Sequence, residues 1–103
     1  MKINRYITRG VNENLSLDLQ ILLWHMVEER DNQSHTDYLH IFRLKEDDNV
    51  LSVTHEQEQP PYKLDYNYIN YQKNENVWPK KVYVIREYDV DTFYYVMLLP
   101  EEY

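Results

Sequence analysis

Four histidines and eighteen Asp and Glu residues supply most of the reactive side chains in this chain of 103 residues, so their spacing decides what chemistry is open to it. His55, Glu56 and Glu58 stand in the run HEQE at the end of a strand-like stretch, where an imidazole and two carboxylates could share a proton or a divalent ion. In an extended chain only Glu56 and Glu58 share a side, and a solvated strand end before Pro60 and Pro61 explains the same residues. His25 and Glu29 are one helical turn apart and suit a two-ligand metal contact, but no third ligand is indicated and the HExxH spacing is missing. Ser16, Ser34 and Ser52 lack the context of a hydrolase nucleophile, and one glycine, Gly10, is too few for a phosphate cradle. The absence of cysteine removes thiolate chemistry, disulfides and Cys-type zinc sites. His55, Glu56 and Glu58 are therefore the candidate polar cluster for an enzyme or metal site, and no catalytic residue or cofactor is assigned.

The eleven tyrosines are the more unusual feature. Tyr62, Tyr66, Tyr68 and Tyr71 alternate with Asn, Asp and Lys, and Trp78 follows them. Tyrosine gives large contact area with few rotatable bonds and a polar tip, the mixture that binding surfaces use. Together with Trp24 these residues make a candidate interaction surface: Trp24, Tyr62, Tyr66, Tyr68, Tyr71 and Trp78. A loop whose tyrosines fold back onto a sheet is the alternative, and burial of Trp24 within the domain is the simpler reading of the indole.

These residues must be positioned by a small set of elements. Ser16 to Arg30 is the long segment with a helical period: Leu19, Leu22, Leu23 and Met26 fall three and four apart on one face, and Arg30 lies at its edge. Ser16 is placed to cap it with its hydroxyl, and Asp18 adds negative charge to the first turn. Ile21, Trp24 and Val27 widen the stripe beyond one narrow face. Ile3 to Thr8 reads as a short first strand. Gly10 reads as a backbone shape that a Cβ would forbid. Tyr38 to Leu44 is a central strand, with Tyr38, His40, Phe42 and Leu44 in one phase. It pairs as a hairpin with Val50 to His55, across a charged KEDDN turn. Positive φ at tight turns must rely on Asn and Asp. After the two prolines, residues 62 to 78 read as a long loop or an exposed edge strand. Lys81 to Tyr88 and Thr92 to Leu99 form a second hairpin. The expected fold is one α+β domain over residues 1–103: an antiparallel sheet of four to five strands with one main helix packed on one face.

A formal charge of −7 argues against direct nucleic-acid binding. The basic N-terminus precedes no apolar core of a signal sequence, and the longest apolar run has four residues, so the expectation is a cytoplasmic protein with no membrane partner. The leading function is a non-enzymatic protein-binding module whose partner is another protein, with self-association as a variant. One alternative is an acidic nucleic-acid-mimicking inhibitor from a phage or mobile element, built on Glu46, Asp47 and Asp48 with Glu87, Asp89 and Asp91. The other is an enzyme or metal site around His55 to Glu58.

RYITRGV at 5–11, DYLHIF at 37–42, THEQEQPPY at 54–62, YVI at 83–85 and MLLPEEY at 97–103, with LQ and LW in the helix, resemble DUF960, a family of small uncharacterised Firmicutes proteins. That resemblance implies a small cytosolic bacterial domain, and it carries over no activity, cofactor or catalytic residue.

Overall fold

The computed structural model describes residues 4–33, 37–73 and 77–103. Six strands form a single sheet: β1 (Asn4–Ile7), β2 (Leu39–Asp47), β3 (Val50–Gln57), β4 (Tyr62–Tyr68), β5 (Lys81–Tyr88) and β6 (Phe93–Leu98), in the order β1-β6-β5-β2-β3-β4. The fold is thus mostly sheet, with six strands where four to five were expected. The sheet is also mixed, because β1 runs parallel to β6 while every other neighbour is antiparallel. A parallel pair joins segments far apart in sequence, and hairpin spacing gives no sign of it.

The main helix, α2 (Leu17–Asp31), lies on one face of the sheet. Leu19, Leu23, Met26, Val27 and Arg30 are buried, Leu22 and Trp24 pack at the margins of the core, and Ile21 faces solvent. Ser16 is the N-cap by position, but its hydroxyl makes no capping bond; the Gln20 side-chain amide instead donates to the Leu15 carbonyl at 3.0 Å. Beneath the helix the inward rows of the strands supply Phe42, Leu44, Leu51, Val53, Val82, Val84, Tyr95 and Met97. Burying a Leu- or Val-sized side chain stabilises by about 1.5 to 3 kcal/mol, so these rows fix which face meets the helix.

The turn between β2 and β3 is tighter than KEDDN implied: the ladder runs to Asp47 opposite Val50, leaving Asp48 and Asn49 at φ 49° and 65°. A second, six-residue helix, α1 (Arg9–Asn14), was not expected, since Val11 is its one buried residue and leaves no apolar period to read. Thr8 caps it, accepting from the Val11 N–H at 3.3 Å. Gly10 lies inside α1 without a positive φ, and what it supplies is space: a Cβ there would come within 2.8 Å of the Glu102 carboxylate.

Candidate functional site

Below the C-terminal end of α2, strand alternation brings polar residues into the core. His40 of β2 shares its phase with Phe42, and His55 of β3 shares its phase with Val53, so both rings point to the helix and are fully buried. His40 Nδ1 lies 2.8 Å from His55 Nε2, and His40 Nε2 lies 3.3 Å from Asp31 Oδ1 of α2. Tyr95 donates its hydroxyl to the same carboxylate. Arg30 Nε donates to Gln57 Oε1 at 2.8 Å, the Gln57 amide donates to the Asp37 carbonyl at 3.1 Å, and the Arg30 guanidinium lies 4.0 Å from the centre of the Tyr62 ring. Deleting one member of such a network leaves its partner unpaired in a medium that cannot solvate it, at about 1 to 3 kcal/mol.

His40 Nδ1 and His55 Nε2 share one proton between them, and His55 Nδ1 is buried without a hydrogen-bond partner. Burial first, then the neighbouring His40 and Arg30 charges, push the His55 pKa down to about 3, so the ring is neutral at pH 7. Phe42 stacks on it at 4.4 Å between centroids and Tyr62 meets it edge-on at 5.3 Å. The network as a whole, through Asp31, His40, His55 and Tyr95, ties the helix end to β2, β3 and β6, and the enclosed His55 ring has no solvent exposure.

The HEQE residues therefore do not act together. Glu56 is on the opposite face of the sheet, where it accepts from Arg43 at 2.9 Å, and Glu58 is exposed in the turn after β3. No group of three or more His, Asp or Glu residues suited to hold a metal occurs among the described residues. His25 and Glu29 face each other at 3.9 Å on the solvent side of α2. Sequence reasoning missed Arg30, Asp31, His40, Gln57 and Tyr95 as a unit. The available signal was phase: a histidine aligned with Phe42 and Leu44, and another with Leu51 and Val53, occupy rows that the core must claim.

The aromatic candidates separate into two groups. Tyr71 and Trp78 are buried, in edge contact at 6.0 Å, and Tyr71 donates to Glu46, which pushes its hydroxyl pKa up to about 12. Trp24 is half-buried between Tyr95 and the Arg5 guanidinium, and Arg5 also pairs with Glu28. Tyr68 is half-buried and donates to Asp18 at 2.8 Å, and the Gln72 N–H donates to the same oxygen at 2.9 Å. Burial works against the Asp18 charge, yet the Ser16 hydroxyl first, and then the Gln72 and Tyr68 donors, hold its pKa below the usual carboxylate value. Tyr62 lies half-buried under Arg30.

That leaves Tyr66, 44 % exposed, and beside it Leu64, 47 % exposed. Both belong to β4, which bonds to β3 on one side and forms an edge of the sheet. Tyr62, Leu64, Tyr66 and Tyr68 share the helix side, while Lys63, Asp65 and Asn67 share the other. On that second side Thr54 donates to Asp65 at 2.8 Å and Ser52 to Asn67 at 3.3 Å. The acidic groups proposed for mimicry do not form one row: Asp47 and Asp48 are at the β2–β3 turn, and Glu87, Asp89 and Asp91 are at the other end of the β2–β5 pair.

Residues 4–102 match the model of the family described as "Staphylococcal protein of unknown function (DUF960)". The chain belongs to this family. The DUF960 chain is also similar in fold to a solved structure, the crystal structure of a protein of unknown function from Enterococcus faecalis: the TM-score is 0.80 at 19 % identity, over 98 % of this chain and 91 % of that one. No curated protein matches the DUF960 chain. Among its described residues no helix is long and apolar enough to cross a membrane. Two of the segments that carried the family resemblance, RYITRGV and MLLPEEY, meet in space. Glu102 accepts from Thr8 Oγ1 at 2.6 Å, from the Leu99 N–H at 2.9 Å and from the Gly10 N–H at 3.1 Å, and the Thr8 bond leads in holding its pKa low.

Proposed function

We propose that this DUF960 chain is a cytoplasmic protein-binding module that takes an extended segment of another polypeptide along the outer edge of β4. The observation that carries the reading is that β4 is a sheet edge whose helix-side row exposes Leu64 and Tyr66 next to each other. An added strand draws affinity from main-chain hydrogen bonds and selectivity from alternate side chains, so an apolar row beside unpaired backbone is the feature such a partner needs. Ring contacts support the edge from behind, running from Tyr66 to Tyr68, Tyr71 and Trp78 at 6.4, 6.0 and 6.0 Å. A chain without cysteine suits a reducing compartment.

The test compares the wild-type chain with Leu64→Asp combined with Tyr66→Ser, each cross-linked in a lysate of the source bacterium. Both side chains are nearly half exposed and lie outside the core, and circular dichroism checks that the variant keeps its fold. Loss of two anchoring contacts weakens a complex by about thirtyfold or more. Undiminished capture by the folded variant overturns the reading.

A further inference from the structure

The charge pattern of β4 specifies a partner, and this step rests on the edge reading above. We infer that the strand which pairs with β4 is β4 of a second copy of this chain, antiparallel about a two-fold axis that passes between the two Leu64 residues.

A two-fold axis normal to the sheet keeps the α2 layers of both copies on one side, and it then sets each β4 residue opposite one of the same phase in the partner. The axis must therefore pass between two copies of the same residue, and three residues are central enough to give a useful ladder. Centred on Asp65, the pairing sets that carboxylate against its own copy and joins Lys63 to Asn67. Centred on Tyr66, it joins Asp65 to Asn67 and brings Lys63 opposite Ile69, with no charge to meet it. Centred on Leu64, it joins Lys63 of each copy to Asp65 of the other, twice, with Leu64 against Leu64 and Tyr62 against Tyr66 on the helix side. Opposite charges directly across a ladder stabilise it and like charges oppose it, so this register is favoured and the one centred on Asp65 is penalised.

The surroundings agree with the choice. Within one copy Lys63 is already in register with Glu56, and Glu56 is paired with Arg43, so the new Asp65 continues an alternation of charge that runs Arg43, Glu56, Lys63 and across the axis. The nearly half-exposed Leu64 becomes the centre of the contact. Pro60 and Pro61, which have no N–H, stop the ladder beyond Tyr62 and confine it to Tyr62–Tyr66 in each copy. Five residues a side make a concentration-dependent dimer rather than an obligate one. The result is a continuous sheet of twelve strands.

Charge reversal tests this register. Lys63→Glu alone and Asp65→Lys alone each put like charges opposite one another twice, so sedimentation should show each variant dimerising about tenfold more weakly than wild type, or not at all. An equimolar mixture of the two restores both ion pairs and should form the heterodimer, and added salt should weaken it. The mixture also shows that neither variant has lost its fold. Variants that dimerise as wild type does, or a mixture that stays monomeric, overturn the inference. A wild-type chain that is monomeric at high concentration overturns it too; if that chain still loses a captured partner on Leu64→Asp with Tyr66→Ser, the edge reading stands without self-pairing.

Discussion

His55 is neutral in the folded chain and titrates near its ordinary value when unfolded. Its pKa falls from 6.5 to about 3 on folding, mainly through burial and then through His40 and Arg30, with Asp31 acting in the opposite sense. Between those two values the unfolded chain binds the extra proton, so the stability this ring contributes is complete above pH 6.5 and is lost as pH falls through the window. Denaturant midpoints should decline between pH 6.5 and 5 with a slope that approaches about 1.4 kcal/mol per pH unit. His55→Gln should start from a lower stability and lack that slope; an unchanged slope in the variant assigns the protons elsewhere. The carboxylates Asp18 and Glu102, held low by their donors, act further down, as pH falls through and below the usual carboxylate range. Gly10 gives a second residue-scale test. Inside α1 an alanine would gain about 1 kcal/mol of helix propensity, but its Cβ displaces the Glu102 carboxylate from three donors. Gly10→Ala should therefore stabilise a Glu102→Ala background and fail to stabilise the wild type, as thermal unfolding of the four chains would record; equal effects in both backgrounds would remove Glu102 from the explanation. HEQE divides as the alternation of an extended chain requires: adjacent residues face opposite sides, so His55 lies under the helix and Glu56 on the far side of the sheet.

At the scale of elements, the helix was legible because apolar spacing reports directly on burial. Leu23→Ala should cost about 2 to 5 kcal/mol, since Leu23 is fully buried, whereas Ile21→Ser, on the exposed side of the same turn, should leave the melting temperature nearly unchanged. Comparable losses at both positions would mean that α2 is covered on a second side. The β2–β3 and β5–β6 hairpins were legible for a similar reason, and the positive φ values at Asp48 and Asn49 follow from a chain with one glycine. α1 was not legible, because one buried valine in six residues makes no pattern. The 62–78 segment stood between loop and edge strand because both leave polar side chains in water. The difference lies in pairing with β3, which turns Tyr62, Tyr66 and Tyr68 to the helix side, while Tyr71 and Trp78, beyond the strand, are buried in the core.

For the molecule as a whole, the two sheet edges have different histories. β4 follows β3 at once and closes locally, but β1 has no partner until β6 exists, and the Thr8–Glu102 bond that adjoins the β1–β6 pair joins residues 94 positions apart. Each doubling of such a loop adds about 0.6 kcal/mol of closure entropy, and contacts of this separation slow the search for the native state. The β2–β3–β4 meander should therefore form early and β1 dock last. Pulse-labelled hydrogen exchange during refolding would show this as β1 amides gaining protection after those of β3, and simultaneous protection would contradict it. On the ribosome the consequence is temporal. With β1 made before the other strands and β6 after them, every residue from Asn4 to Leu98 must leave the exit tunnel before the sheet can be completed, and until then β5 waits with one side open.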